Sequence, residues 1–307
     1  MEIQQRMEVE AARLVLSDPR ADSDSAVTAP AVYLLDEESH VLIIEDTGPD
    51  TRTLKEILID ETLPRPLLED IGTALGRFIG NVHGWNERPD VDLSLFANYQ
   101  VGRSLSVTYG RVVSTLAGKD DIPYLDSPCL DIPEKKLSNI TELVKARRKE
   151  MHSATTVITH GDLWPGNVMV SLRRGADGAI EALDKLHVID WEVAKTGLPG
   201  FDLGQMCAEF YLIARFHPHR EDSTNTLIKS FLSAYRTTRG SAMDPGIARV
   251  AVGHIGVHLV AFTPRIPWGG RERTRDVVQE GAELLNLSWT GPDSLLLDSI
   301  VQPLLSE

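Results

Sequence analysis

Three oxygen-bearing side chains stand at intervals that suit one kind of chemistry. Asp162 and Asn167 follow the apolar residues 157–159, and Asp190 ends a second apolar run about one hairpin further along the chain. If both runs are strands, their ends would gather the three side chains around one hydroxyl and one Mg²⁺ ion. In such a centre the first aspartate accepts the hydroxyl proton, and the other two groups hold the metal that bridges the phosphates of ATP. The spacing therefore predicts phosphoryl transfer.

The elements that must position these residues follow from apolar periodicity. Residues 1–16 predict an opening helix, and residues 31–35 and 41–44 predict a β-hairpin. A helix over residues 137–151 is expected to lead into the catalytic strands. Residues 87–133 have weak periodicity and are expected to hold an insertion on the substrate side. Helical spacing also occurs over residues 66–85, 201–216, 224–239, 245–262, 272–289 and, more briefly, 294–305.

These elements predict an α+β fold of two unequal parts. Residues 1–46 would form a small N-terminal lobe of a helix plus a hairpin. Residues 47–52, which begin Thr-Gly-Pro-Asp, have the composition of a hinge. Residues 53–307 would form a large, mostly helical lobe that carries the catalytic loop and the acceptor region. A chain of 307 residues is long enough to bury a substantial core in this arrangement.

Composition narrows the range of partners and compartments. The net charge of -14 disfavours nucleic acid, whose phosphates it would repel. Two cysteines are too few for a disulfide framework, and the start of the sequence lacks a secretion-signal pattern. The longest apolar stretch, residues 250–262, is interrupted by His254 and His258, which are expected to be core or acceptor-pocket residues. We therefore expect a cytoplasmic protein without a membrane partner.

The three side chains belong to a longer constellation of motifs. It consists of His160-Gly161-Asp162 with Asn167, of Ile189-Asp190-Trp191-Glu192, and of Gly197-Leu198-Pro199 leading to Asp202-Leu203. Its order and spacing extend over more than 40 residues, which makes it far more specific than a lone His-Gly-Asp. The whole constellation resembles the aminoglycoside phosphotransferase and choline kinase group of small-molecule kinases. The resemblance implies a protein-kinase-like two-lobe fold, the cofactors ATP and Mg²⁺, and a small-molecule acceptor with a hydroxyl group.

The resemblance also implies roles for individual residues. Asp162 would be the catalytic base that orients the acceptor hydroxyl, and Asn167 and Asp190 would be the Mg²⁺ ligands. His160 would support the loop by hydrogen bonding. Asp202, near the start of the next helix, would brace the loop or cap that helix.

Further residues are expected at the edges of the site. Glu45 and Asp46 border the hinge, whose backbone would face adenine. Trp164 stands where many relatives have a histidine, at the rim of the acceptor site, either stacked on a substrate ring or packed as an aromatic lid on the lobe surface. Glu192 is expected at the same rim.

Parts of the kinase-like small lobe are missing from the sequence. No glycine precedes Gly48 and no lysine precedes Lys55, so a phosphate-covering loop and its lysine are absent. Glu10 resembles the glutamate that pairs with that lysine, with Glu8 as the alternative register. The sequence is then either a shortened gene model of an active kinase or a true short form that has lost efficient catalysis. In the second case the protein would be a catalytically weak or inactive kinase-like binding protein.

Overall fold

The computed structural model describes residues 2–20, 26–97, 101–126 and 128–305. Short turns and 3-10 segments join the helices and strands of these residues. The strands are β1 Val27–Thr28, β2 Val32–Asp36, β3 Val41–Ile44, β4 Arg52–Thr53, β5 Ile158–Thr159, β6 Val168–Arg174, β7 Ile180–Val188 and β8 Lys195–Thr196. The helices are α1 Glu2–Leu16, α2 Leu54–Asp60, α3 Arg65–Val82, α4 Val101–Val107, α5 Tyr109–Leu116, α6 Glu134–Ser153, α7 Pro199–Phe216, α8 Glu221–Arg239, α9 Gly246–Ala261, α10 Arg271–Thr290 and α11 Asp293–Leu296.

A four-stranded sheet carries the residues that the sequence singled out. Its strand order is β1-β7-β6-β4, in which β6 pairs antiparallel with both neighbours and β1 runs parallel to β7. Val168 lies opposite Val188, and both side chains are fully buried. Because β6 begins just after Asn167 and β7 ends just before Ile189, this pairing places the two functional segments side by side.

The predicted hairpin of residues 31–35 and 41–44 is confirmed. β2 and β3 pair antiparallel, with Leu34 opposite Ile43 and Asp36 opposite Val41. Among the described strands they pair only with each other. Several apolar side chains of this hairpin are exposed: Tyr33, Leu34, Val41, Ile43 and Ile44.

The long helices of the sequence prediction are confirmed, with ends within a few residues of those expected. The weakly periodic residues 87–133 are more ordered than predicted, because they contain α4 and α5. Tyr109, Val112 and Leu116 of α5 are buried and contribute to a second hydrophobic cluster with α6 and α9. Helices of seven or eight residues make only about two turns, which is too short for the periodicity to be visible.

A nearly all-apolar helix lies at the centre of the large part. Residues Gly246–Arg265, which include α9, are long and apolar enough to cross a membrane, but 72% of the most apolar window is buried inside the protein. α7 and α10 pack against α9. This packing, rather than a lipid surface, explains its composition, and it fixes the position of α7 beside the catalytic loop.

The predicted division into lobes remains a prediction. Residues 45–51 form neither helix nor strand, as expected of a hinge. However, Met7, Ala11 and Leu14 of α1 belong to the same continuous hydrophobic cluster as the large helical part.

Candidate active site

The carboxylate of Asp202 holds the loop between β5 and β6 by hydrogen bonds to its backbone. Asp202, in the first turn of α7, accepts the backbone N–H groups of His160 at 2.7 Å and Gly161 at 2.9 Å. Gly161 has φ +84°, and a Cβ there would lie 2.5 Å from the Lys195 ammonium nitrogen. Only glycine fits this turn without strain. Of the two roles expected for Asp202, the structure shows the contacts of a loop brace.

Asp162 is oriented by two amide side chains. The amide nitrogen of Gln205 donates to Asp162 Oδ1 at 2.5 Å. The amide nitrogen of Asn167 donates to the Asp162 carbonyl at 3.0 Å and lies 3.4 Å from Oδ2. The carboxylate is thus fixed in direction while Asp162 stays partly exposed. A solvent-reachable carboxylate in a set orientation can accept a proton from a bound hydroxyl.

Asp190 lies next to this loop in a strained conformation. The backbone N–H of Ile189 donates to the Asn167 carbonyl at 3.0 Å, which joins the two segments. Asp190 then adopts φ +66°, in the left-handed region that non-glycine residues rarely use. Trp191 anchors the turn: it is buried, its indole N–H donates to the Val188 carbonyl at 2.9 Å, and its ring lies 4.4 Å from the His160 ring. Strain kept in place by such packing is typical of functional sites.

The electrostatics of this group suit a hard cation. Burial and the neighbouring Asp162 charge raise the pKa of Asp190 above its usual value. A divalent cation bound by both carboxylates would relieve this repulsion. Asn167, whose amide nitrogen donates to the Asp162 carbonyl, also carries an amide oxygen. No group of three or more His, Cys, Asp or Glu side chains suited to a metal occurs in the described part of the chain. Mg²⁺ often takes only one or two protein ligands and completes its shell with substrate phosphates and water, so the pair fits it.

Two buried histidines complete the support of the loop. His83 donates from Nε2 to Asp202 at 3.0 Å, and the Tyr235 hydroxyl lies 3.0 Å from its Nδ1. Burial raises the pKa of Asp202, but hydrogen bonds from the His83 ring and the Gly161 N–H help to outweigh it, and the pKa lies below its usual value. Burial lowers the pKa of His160, whose Nε2 donates to the Ile189 carbonyl at 3.0 Å. His160 therefore joins the two functional segments as a neutral ring.

A cleft of about 420 Å³ opens beside Asp190. Its apolar surface comes from Leu42, Ile44, Met169 and Ile189, and the described lining includes five carboxylates and no Lys or Arg. The carboxylates are those of Glu8, Glu45, Asp46, Asp190 and Glu192.

The two predicted hinge residues do border this cleft. Their side chains, however, accept hydrogen bonds from nearby backbone: Glu45 accepts the Ala31 N–H at 3.0 Å, and Asp46 accepts the Gly48 N–H at 2.9 Å.

Two predicted positions need correction. Glu10 pairs with Arg13 on the surface of α1 and does not line the cleft, whereas Glu8, the alternative register, does. Glu8 accepts backbone N–H groups of Trp191 and Asp190, and burial, followed by the charge of Asp190, raises its pKa to about 7. Glu192 also lies on the cleft side, where it accepts from Gln4 at 3.0 Å, rather than at the rim with Trp164.

Trp164 is not part of the described lining of this cleft and lies among residues that the sequence did not predict. Its ring folds over Gly166, where a Cβ would lie 2.2–2.4 Å from three ring atoms. The Lys55 ammonium lies 5.0 Å from the Trp164 ring centroid and 3.9 Å from that of Trp268. It also donates to Glu209 at 2.8 Å. These contacts leave open both uses expected for Trp164, stacking and lid.

The missed residues on α7 are Gln205 and Glu209, which share a signal with the predicted Asp202. The three recur at three- and four-residue intervals, so they share one face of an otherwise apolar, buried helix. Polar residues on a buried face are unusual and would have pointed to the site. Lys195 is a further buried cation beneath the loop, where it donates to the Val193 carbonyl at 3.1 Å and where burial lowers its pKa.

The sheet, the braced loop and the paired aspartates define the class of kinase-like phosphotransferases. The chain belongs to the phosphotransferase enzyme family known as APH, whose model matches residues 8–244. The 4-hydroxytryptamine kinase of Psilocybe cubensis is 30% identical over 264 residues, and that of Psilocybe cyanescens is 28% identical over 267 residues. The alignments cover 84% and 85% of this chain, but 66% and 67% of those enzymes. The chain thus spans about two thirds of their length.

A solved structure supports the fold. The crystal structure of choline kinase from Cryptosporidium parvum Iowa II superimposes with a TM-score of 0.51 at 12% identity. The match covers 96% of this chain and 82% of that one. The predicted α+β, kinase-like fold with a large helical part is therefore confirmed.

Proposed function

We propose that this chain is an ATP- and Mg²⁺-dependent kinase that moves the γ-phosphate to a hydroxyl of a small molecule. The observation that carries the proposal is the fixed orientation of Asp162 by Gln205 and Asn167, with Asp190 directly beside it. Family membership and the names of the relatives agree with it. We also propose that the protein is located in the cytoplasm.

Asp162 accepts the proton of the acceptor hydroxyl as the oxygen attacks phosphorus. Gln205 keeps Oδ1 engaged, so the other carboxylate oxygen is directed at the hydroxyl. Asp202 and His160 hold the loop in place, so little reorganisation is needed during transfer. Asn167 and Asp190 would hold Mg²⁺, which when bound offsets phosphate charge.

The nucleotide would occupy the cleft of about 420 Å³. Adenine fits against its apolar surface, including Ile44, Met169 and Ile189, beside the backbone of residues 45–47. The described lining offers phosphates no basic side chain, so the metal has to offset most of their charge. We therefore expect ATP to bind weakly without Mg²⁺.

The proposed acceptor is a hydroxylated aromatic amine. The two Psilocybe relatives carry the name 4-hydroxytryptamine kinase, and the rings of Trp164, two residues from Asp162, and Trp268 lie around the Lys55 ammonium. Flat aromatic faces suit a ring-bearing acceptor.

The decisive test is Asp162→Asn in a phosphoryl-transfer assay with labelled ATP and 4-hydroxytryptamine as the first acceptor. Loss of the base should lower kcat by about 10³-fold, within the range for general bases, while the melting temperature changes little. Asp184→Asn, an exposed change on β7, is the matched control and should keep full activity. Undiminished product formation by Asp162→Asn would overturn the assigned role.

The second candidate is a catalytically weak or inactive kinase-like binding protein. The acidic cleft without a basic side chain in its described lining favours it. Calorimetry of Mg-ATP binding, with Asp190→Ala as the control, separates the two. Binding that disappears in the variant supports the enzyme, whereas no binding by the folded chain supports the second candidate.

A further inference from the structure

Three side chains outside the phosphoryl-transfer centre enclose the ammonium group of Lys55, and we call these three the cation cage: Trp164, Glu209 and Trp268. The Lys55 ammonium lies 3.9 Å from the Trp268 ring centroid and 5.0 Å from that of Trp164. It also donates to Glu209 Oε2 at 2.8 Å. Two aromatic faces and a carboxylate around one ammonium form the arrangement in which proteins bind cationic ligands.

Glu209 needs a cation at this position. Only 4% of its side chain is exposed, and its other oxygen, Oε1, accepts from His258 at 2.8 Å. Burial raises the pKa of Glu209, but the bonds from His258 and Lys55 outweigh it and hold the pKa below its usual value. A buried carboxylate that loses its partner is strongly destabilising, so Oε2 must face a positive group in every working state.

Lys55 is a removable partner. It lies in the first turn of α2, where the helix dipole disfavours a cation. The cap of α2 is made by Thr53 and Glu56, so the helix does not depend on Lys55. The side chain is 22% exposed on a flexible stem and can turn its strongly hydrated ammonium into solvent.

The cage lies close to the reaction centre. Glu209 follows Gln205 by four residues on α7, a rise of about 6 Å along the helix, and Gln205 holds Asp162. Trp164 is two residues from Asp162. In the described structure the indole N–H of Trp268 is buried and has no hydrogen-bond partner.

We propose that the cation cage binds the ammonium group of the acceptor, and that Lys55 is an internal placeholder that the acceptor displaces. The ammonium of the acceptor then pairs with Glu209 between the two indole rings, while its hydroxyl reaches Asp162. The inference rests on the proposed function for the reaction, but binding in the cage requires no nucleotide.

The test is calorimetry without nucleotide, using phenethylammonium chloride as the probe. Lys55→Met removes the placeholder and should bind the probe about tenfold more tightly than the wild type, a ratio in the range of one cation–aromatic contact. Adding Glu209→Gln to Lys55→Met should abolish that gain. Lys145→Met, which removes an exposed lysine on α6, is the matched control and should bind like the wild type.

Charge selectivity provides a second readout. The uncharged analogue 2-phenylethanol should bind the wild type and Lys55→Met equally. Lys55→Gln, which keeps a polar end and much of the stem, replaces Lys55→Met if that variant does not fold by circular dichroism. Equal probe affinity in the wild type and a folded Lys55 variant, or a gain that does not depend on Glu209, would overturn the proposal.

The two proposals can fail separately. If Asp162→Asn abolishes turnover but Lys55 variants bind the probe like the wild type, the kinase assignment stands without the cage. If the cage behaves as expected but the wild type transfers no phosphate, the ammonium site stands and the reaction assignment fails.

Discussion

Several carboxyl groups, those of Asp162, Asp190 and Glu8, lie close together around the catalytic loop. Burial, followed by the neighbouring Asp162 charge, raises the pKa of Asp190, while Glu8 contacts the same turn with a pKa of about 7. A bound cation would relieve the repulsion between Asp162 and Asp190. The stability of the protein should therefore respond to Mg²⁺.

Mg²⁺ is expected to raise the melting temperature of the wild type by about 3 °C, which corresponds to roughly 1 kcal/mol for a protein of this size. Asp190→Asn removes the repulsion, so the variant should be at least as stable as the wild type without Mg²⁺ and should gain little from it. Differential scanning fluorimetry with and without Mg²⁺ measures both effects. The same Mg²⁺ shift in the variant as in the wild type would show that the ion binds elsewhere.

The ring of Trp164 can occupy its position only because Gly166 has no side chain. A methyl group there would overlap three atoms of the ring, so Gly166→Ala should expel the ring and lower the free energy of unfolding by about 1–3 kcal/mol. Urea unfolding measures the loss, and tryptophan fluorescence reports the ring. Gly102→Ala is the control, because a methyl group at that helical position meets no atom within 4 Å. Equal stability of the two variants would contradict the expected overlap.

At the level of elements, α9 contributes a histidine, His254, whose protonation favours the unfolded chain. His254 is buried and stacks against Phe201 and Tyr109, and burial lowers its pKa to about 3. Between pH 6.5 and 3 the unfolded chain binds a proton that the folded chain excludes, so stability from this group falls as the pH falls. At pH 5 the loss relative to pH 7.5 should be about 2 kcal/mol.

His254→Phe keeps the stacked ring and removes the titration. Its free energy of unfolding should therefore fall less than that of the wild type between pH 7.5 and 5, by about 2 kcal/mol. Urea titrations at the two pH values give this difference. If the two proteins showed the same pH dependence, His254 would have the same protonation state in the folded and the unfolded chain, which would contradict the expected shift.

The elements also show what the sequence could predict. Asp162, Asn167 and Asp190 flank one hairpin, so their proximity follows from local spacing. Lys55, Glu209 and Trp268 meet only because α2, α7 and the segment before α10 pack together, which one sequence does not encode locally. The sequence favoured Glu10, but Glu8 lines the cleft. Positions two residues apart are separated by about 200° around a helix, so a register error of two places the side chain on the opposite face.

At the level of the whole molecule, charge opposes association and apolar surface favours it. The net charge is -14, while Leu34 and Ile43 lie opposite each other on β2 and β3 with 48% and 46% of their surfaces exposed. Two copies that meet through this hairpin would bury these side chains, but repulsion should keep them apart at low salt.

Added NaCl should therefore promote dimers, because the screening length falls from about 10 Å at 0.1 M to about 3 Å at 1 M while apolar attraction persists. Sedimentation velocity at the two concentrations measures the change. Leu34→Thr with Ile43→Thr keeps strand-forming residues and should remain monomeric at both. The matched control, Ile266→Thr with Leu297→Thr, removes similarly exposed apolar surface elsewhere and should still dimerise in high salt. Dimers that form equally in both double variants would place the contact outside the hairpin.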